Sequence, residues 1–186
     1  VQIANGAENV TVSGVSMQSA ASPAHGAIAF PAAATARKVT IANNVSVGGL
    51  SFAGATDIPQ LVVKGNVISS TVPTSGNEHY QAAIWISGAG STGANIEGNH
   101  MLNLGTSTNH ASGISMDYDA AGVQVINNSI VDNRGASAGM TYGIRDNAPG
   151  NHKLLNVVSG ATSANIWLAA VAEPVRKTAS VARRPH

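Results

Sequence analysis

One phrase recurs along this chain at an irregular but bounded step. Val39-Thr40-Ile41-Ala42-Asn43-Asn44-Val45 returns as Leu61-Val62-Val63-Lys64-Gly65-Asn66-Val67. It comes back as Ala94-Asn95-Ile96-Glu97-Gly98-Asn99-His100 and as Val123-Gln124-Val125-Ile126-Asn127-Asn128-Ser129. A worn copy lies at Lys153-Leu154-Leu155-Asn156-Val157, and one without the asparagine at Val10-Thr11-Val12-Ser13-Gly14-Val15. The shortest step, Asn44 to Asn66, is 22 residues, and the longest, Asn66 to Asn99, is 33. Self-similarity at such a period marks a stacked repeat, in which each unit buries its apolar face against its neighbours.

A second phrase interleaves with the first. It reads Gly26-Ala27-Ile28-Ala29-Phe30, Gly49-Leu50-Ser51-Phe52, Ala83-Ile84-Trp85-Ile86, Gly113-Ile114-Ser115-Met116, Gly143-Ile144-Arg145-Asp146 and Asn165-Ile166-Trp167-Leu168. Its alternation is that of a short strand, strand A. Strand B follows, with apolar centres at Ile41, Val63, Ile96, Val125 and Leu155. Strand C comes next, at Val45 and Val47, Val67 and Ile68, Met101 and Leu102, Ile130 and Val131, Val157 and Val158. Three short strands per turn of chain predict an all-β coil, a β-solenoid of about six rungs. The asparagines Asn44, Asn66, Asn99, Asn128 and Asn156 stand at the corner between strands B and C. Asparagine tolerates the left-handed conformation that a corner needs. Its amide reaches the matching amide one rung away, at about 4.8 Å.

Composition narrows the function classes. Only 10% of residues are charged and the net charge is +1, with no basic stripe, so nucleic acid is not expected as a partner. No apolar run approaches the length of a membrane-spanning helix. Cysteine is absent, which excludes disulfides without fixing a compartment. Residues 1–172 read as the solenoid and 173–186 as an irregular basic tail carrying Arg176, Lys177, Arg183 and Arg184. A solenoid end needs a cap, and no amphipathic capping segment precedes the first rung. The chain therefore reads as the C-terminal part of a longer solenoid, or as one whose open end another chain covers.

These phrases resemble the right-handed parallel β-helix superfamily, which includes pectate lyases, polygalacturonase-like hydrolases, alginate epimerases and bacteriophage tailspikes. The likeness rests on the strand B phrase ending in Asn44, Asn66, Asn99 and Asn128, with the strand A phrase between. It implies a protein that handles polysaccharide, secreted or on a virion tail, and in tailspikes a homotrimer. The catalytic signatures of the hydrolases and epimerases are missing: there is no Asn-Thr-Asp, Asp-Asp, Gly-His-Gly, Arg-Ile-Lys or Asp-Pro-His-Asp-like run. Calcium-binding nonapeptide repeats are also missing. No catalytic residue is carried over by motif.

Alternation names the residues a glycan would meet. With Ile84, Ile114, Ile144 and Ile166 inward, Trp85, Ser115, Arg145 and Trp167 face out. Ser87, Asp117, Asn147 and Ala169 follow on the same face. Trp85 and Arg145 should stand about 10 Å apart, flanking Ser115. Aromatic rings take the apolar face of a sugar, and Arg and Asp bond its polar groups. The long connections before strand A add Glu78, His79, Tyr80 and His110, and a later one contains Arg134. The expected binding residues are Trp85, Arg145, His79, Tyr80, His110 and Ser115. The acid/base candidates are Asp117, Asp119 and Glu78. If strand A persists to residue 119, the Asp117 and Asp119 carboxyls lie roughly 6–7 Å apart, near the separation of about 6.5–9.5 Å used by inverting glycosidases. A lyase variant would use Arg145 or a histidine to remove a proton. No His, Asp or Glu spacing indicates a metal site, and no cofactor is expected. The rival reading is a structural module, a rigid shaft or oligomerisation spacer with its tryptophans buried between subunits.

Overall fold

The computed structural model describes residues 1–18, 28–29, 36–47, 50–52, 58–69, 82–88, 93–106, 111–117, 119–148 and 150–168. Its strands stack in three parallel sheets of six, one from each strand of the repeat. Sheet A holds Ile28–Ala29, Leu50–Phe52, Ala82–Ile86, Ala111–Met116, Met140–Asp146 and Ala164–Leu168. Sheet B holds Thr11–Ser13, Thr40–Ala42, Val62–Lys64, Asn95–Glu97, Gln124–Ile126 and His152–Leu154. Sheet C holds Ser16–Gln18, Val45–Val47, Val67–Ser69, His100–Leu102, Ser129–Val131 and Val157–Ser159. A short extra pair joins Ala7–Glu8 to Ala36–Arg37. The fold is a parallel β-solenoid. Strand A is only two or three residues long in the first two turns and five to seven in the last four, so the coil is fully developed over about four turns rather than six. Among the described residues helix is limited to one 3₁₀ turn, Gly135–Ser137, and no helix is long and apolar enough to cross a membrane.

Equivalent residues of successive turns stand in register, which turns the repeat into columns. Ile41, Val63, Ile96 and Val125 are consecutive Cα partners and fully buried. Ile84, Ile114 and Ile144 form the strand A column, also fully buried. In sheet C the inward column is Ser46, Ile68, Met101 and Ile130. Val45 and Val47 therefore point outward, 51% and 37% exposed. Each fully buried aliphatic side chain contributes about 1.5–3 kcal/mol, so these columns are the main stabilising term. Gly113 and Gly143 are required where sheet A meets this core. A Cβ on Gly113 would lie 2.5 Å from Ile130 Cγ2, and one on Gly143 would overlap Val158 Cγ1.

The asparagine ladder forms as expected, with one correction. Asn44 Nδ2 donates to Asn66 Oδ1 at 3.0 Å, Asn66 Nδ2 to Asn99 Oδ1 at 2.9 Å, and Asn99 Nδ2 to Asn128 Oδ1 at 3.0 Å. Asn128 Nδ2 continues to Asn156 Oδ1 at 3.0 Å. Each acceptor also takes the backbone N–H of the previous asparagine. The left-handed residue of the corner, however, is the one before the ladder: Gly14, Asn43, Gly65, Gly98, Asn127 and Leu155. A second left-handed column, Asn9, Lys38, Gln60, Gly93, Gly122 and Gly150, precedes strand B. The division is physical. The ladder asparagine keeps an ordinary backbone so that its amide can point inward, and the preceding residue makes the turn.

That offset corrects the last rung. Leu155, expected as the apolar centre of strand B, occupies the left-handed corner and is 80% exposed. The residue in register with Val125 is Lys153. Its ammonium pairs with Asp146, which lies in register with Met116. Asp146 also accepts the Asn151 amide at 2.7 Å and the Ala148 N–H at 3.1 Å. Two columns that are apolar in the middle turns, those of Val125 and Met116, thus meet in one bonded polar cluster.

Candidate functional site

Sheet A brings the predicted column into register. Trp85, Ser115, Arg145 and Trp167 are consecutive Cα partners. Asp117 and Asn147 continue the neighbouring column, with Asp117 N–H donating to Ile86 O at 3.0 Å and Asn147 N–H to Met116 O at 2.9 Å. Trp85, Asp117 and Arg145 are half-buried. The face is also bonded within itself. The indole Nε1–H of Trp85 donates to Asp117 Oδ2 at 2.9 Å, one turn further along. The Arg145 guanidinium carbon lies 5.4 Å from the Tyr142 ring centroid, in cation–π range. Ser115, between them, is fully buried although it points outward. Its Oγ finds no hydrogen-bond partner among the described residues.

The carboxylate pair does not form as a strand pair. Strand A ends at Met116. The chain then turns, with Ala120 N–H donating to Asp117 O at 2.9 Å and Ala121 N–H to Asp119 O at 3.1 Å. Asp119 is exposed in that turn. The strand-geometry separation therefore does not apply to Asp117 and Asp119. Glu78, His79, Tyr80 and His110 lie outside the described residues. Among the described residues no three His, Asp or Glu side chains gather to hold a metal ion.

No family model, curated protein or solved structure matches this chain.

Arg134 is not free to meet a ligand. Its Nε and Nη2 grip both oxygens of Asp132, at 2.8 and 2.6 Å, and Nη1 and Nη2 bond the carbonyls of Gly105 and Leu104. Asp132 also accepts the N–H groups of Gly139 and Met140. Burial alone would raise the Asp132 pKa. Hydrogen bonds from Arg134 and Gly139 and the guanidinium charge outweigh it, holding the carboxyl below its ordinary 3.8. The hydrogen bonds that Arg134 donates to Asp132 raise the Arg134 pKa in turn. The cluster is a clamp between two successive connections that lead to strand A. Gly139 sits against the same stretch, where a Cβ would collide with the backbone of Gly105 and Thr106.

Sequence reasoning found the Trp85–Ser115–Arg145 column from alternation alone. It missed that Asp117 holds the Trp85 ring and that Tyr142 underlies Arg145. The register of strand A contained the first signal, since two residues beyond Ser115 one turn on is within reach of an indole. Tyr142 stood outside the repeated phrase, where alternation assigns no partner.

Proposed function

We propose that this chain binds polysaccharide on the outer face of sheet A. The observation that carries the reading is the in-register column that sets the Trp85 ring and the Arg145 guanidinium two turns apart, with Asp117 beside the ring. A glycan lying along the solenoid axis would meet the Trp85 ring first and Arg145 about 10 Å further on. Binding fits this face better than hydrolysis. Asp117 is engaged by an indole N–H, and Asp119 is in a turn rather than on the same strand face. Residence outside the cell or on a virion tail, and membership of the right-handed β-helix superfamily, belong to this same reading.

A second reading is favoured by sheet C, whose outward Val45, Val47 and Val67 are exposed on an uncharged stretch of sheet. In it the solenoid is an assembly shaft that packs side by side, as in a homotrimer. Glycan-array binding of wild type and Trp85→Ala, with mass measured in solution for both, tests the pair. The first reading expects at least about a tenfold loss of glycan affinity at unchanged mass, since one buried aromatic contact is worth about 1.4 kcal/mol or more. Unchanged glycan binding with a fall in mass would favour the shaft.

A further inference from the structure

The positive charges of this chain are distributed very unevenly. Between Lys64 and Arg134 there is no Lys or Arg at all, while Glu78, Glu97, Asp117, Asp119 and Asp132 all fall in that stretch. The stretch supplies the first two of the four turns in which strand A is fully developed. The nearest cations are committed elsewhere. Arg134 is closed onto Asp132 and two carbonyls. Lys153 is turned toward the core and paired with Asp146. Lys64 stands in register with Glu97 on sheet B, a different face. Arg145 is the one cation in the strand A column, and it stands one turn from Asp117. Asp119, exposed in the turn after strand A, adds a further negative charge.

A polymer with a carboxylate or sulfate on each sugar would need a cation on most turns. It would otherwise bring like charges together across a partly desolvated surface. This face offers a ring and one guanidinium two turns apart, beside a carboxylate. Aromatic stacking and hydroxyl hydrogen bonding do not require a charged sugar. We infer that the sheet A face selects an uncharged polysaccharide and rejects polyuronates and sulfated glycans. This inference rests on the polysaccharide reading above and narrows it. It also removes the uronate-dependent lyase variant.

The test compares binding of the full chain to a panel of uncharged polysaccharides (galactan, xylan, β-glucan) and to polygalacturonate and alginate. It is run at about 0.01 M and about 1 M salt, where screening lengths are about 30 and 3 Å. The expected result is at least about a tenfold preference for a member of the uncharged set at low salt, with little salt dependence of that binding. Asp119→Lys, on an exposed turn, should raise affinity for polygalacturonate and leave the uncharged ligand unaffected. Equal or tighter polyuronate binding at low salt, weakening as salt rises, would overturn the inference while leaving polysaccharide binding standing. Binding to no member of either set would overturn the polysaccharide reading and this inference with it.

Discussion

Leu155 shows how one residue is set by its column. Its place is filled elsewhere by glycine or asparagine, because the turn needs φ near +60°. A leucine there carries a Cβ against its own carbonyl, at a cost of roughly 1–2 kcal/mol, and at 80% exposure it recovers little by burial. Leu155→Gly should therefore stabilise the chain by about 1 kcal/mol, raising the melting temperature by about 3 °C. An unchanged or lower midpoint in a thermal melt would refute this. The ladder gives the opposite case. Asn99→Ala removes the acceptor for the Asn66 amide and backbone N–H, both buried. It should cost about 4 kcal/mol, against about 1–2 for Asn156→Ala at the half-buried end. Urea unfolding of the two variants compares them directly. The ladder itself was legible from the spacing of Asn44, Asn66, Asn99 and Asn128. Its one-residue offset from the left-handed corner was not, because Asn-Asn at residues 43–44 and 127–128 fits either assignment.

At the scale of elements, strands B and C were legible because their three-residue length leaves little room for alternatives. Their inward residues are fixed by what sits between two corners. Strand A was legible at its centre and not at its end. Whether it runs past Met116 depends on the turn made by Asp117 to Ala121, and a period of two has no information about where a strand stops. That turn separates Asp117 from Asp119. The clamp between the two connections was hidden for a related reason. Asp132 and Arg134 look like two loop charges until register brings Gly105 and Leu104 beneath them. Its pH dependence follows from the sign of the shift. The Asp132 pKa is lower folded than unfolded, so its contribution is complete well above 3.8 and is lost as pH falls through the folded value. Asp132→Asn should be destabilised at neutral pH, by about 3 kcal/mol. Its melting temperature should then fall less than that of wild type on acidification below pH 3.8. Parallel melting curves for the two proteins across that range would contradict the clamp.

On the scale of the whole molecule, stacking converts sequence distance into column distance. Trp85, Ser115 and Arg145 are 30 residues apart at each step and become neighbours. The architecture was legible because a repeat is a long-range signal written locally. The function was less so, because no catalytic motif accompanies the repeat. The measurement that tests the columns most directly uses the absence of native cysteine. Gln124 and His152 are exposed, outward Cα partners on adjacent turns. Their Cα atoms should be about 4.8 Å apart, within the span a disulfide bridges, about 4.4–6.8 Å. Gln124→Cys with His152→Cys should cross-link on mild oxidation, seen by mass and gel mobility. Gln124→Cys with Leu154→Cys, two positions out of register, should stay reduced. Cross-linking of the second pair in preference to the first would mean that the turns do not sit in this register, and the sheet A face would lose its basis.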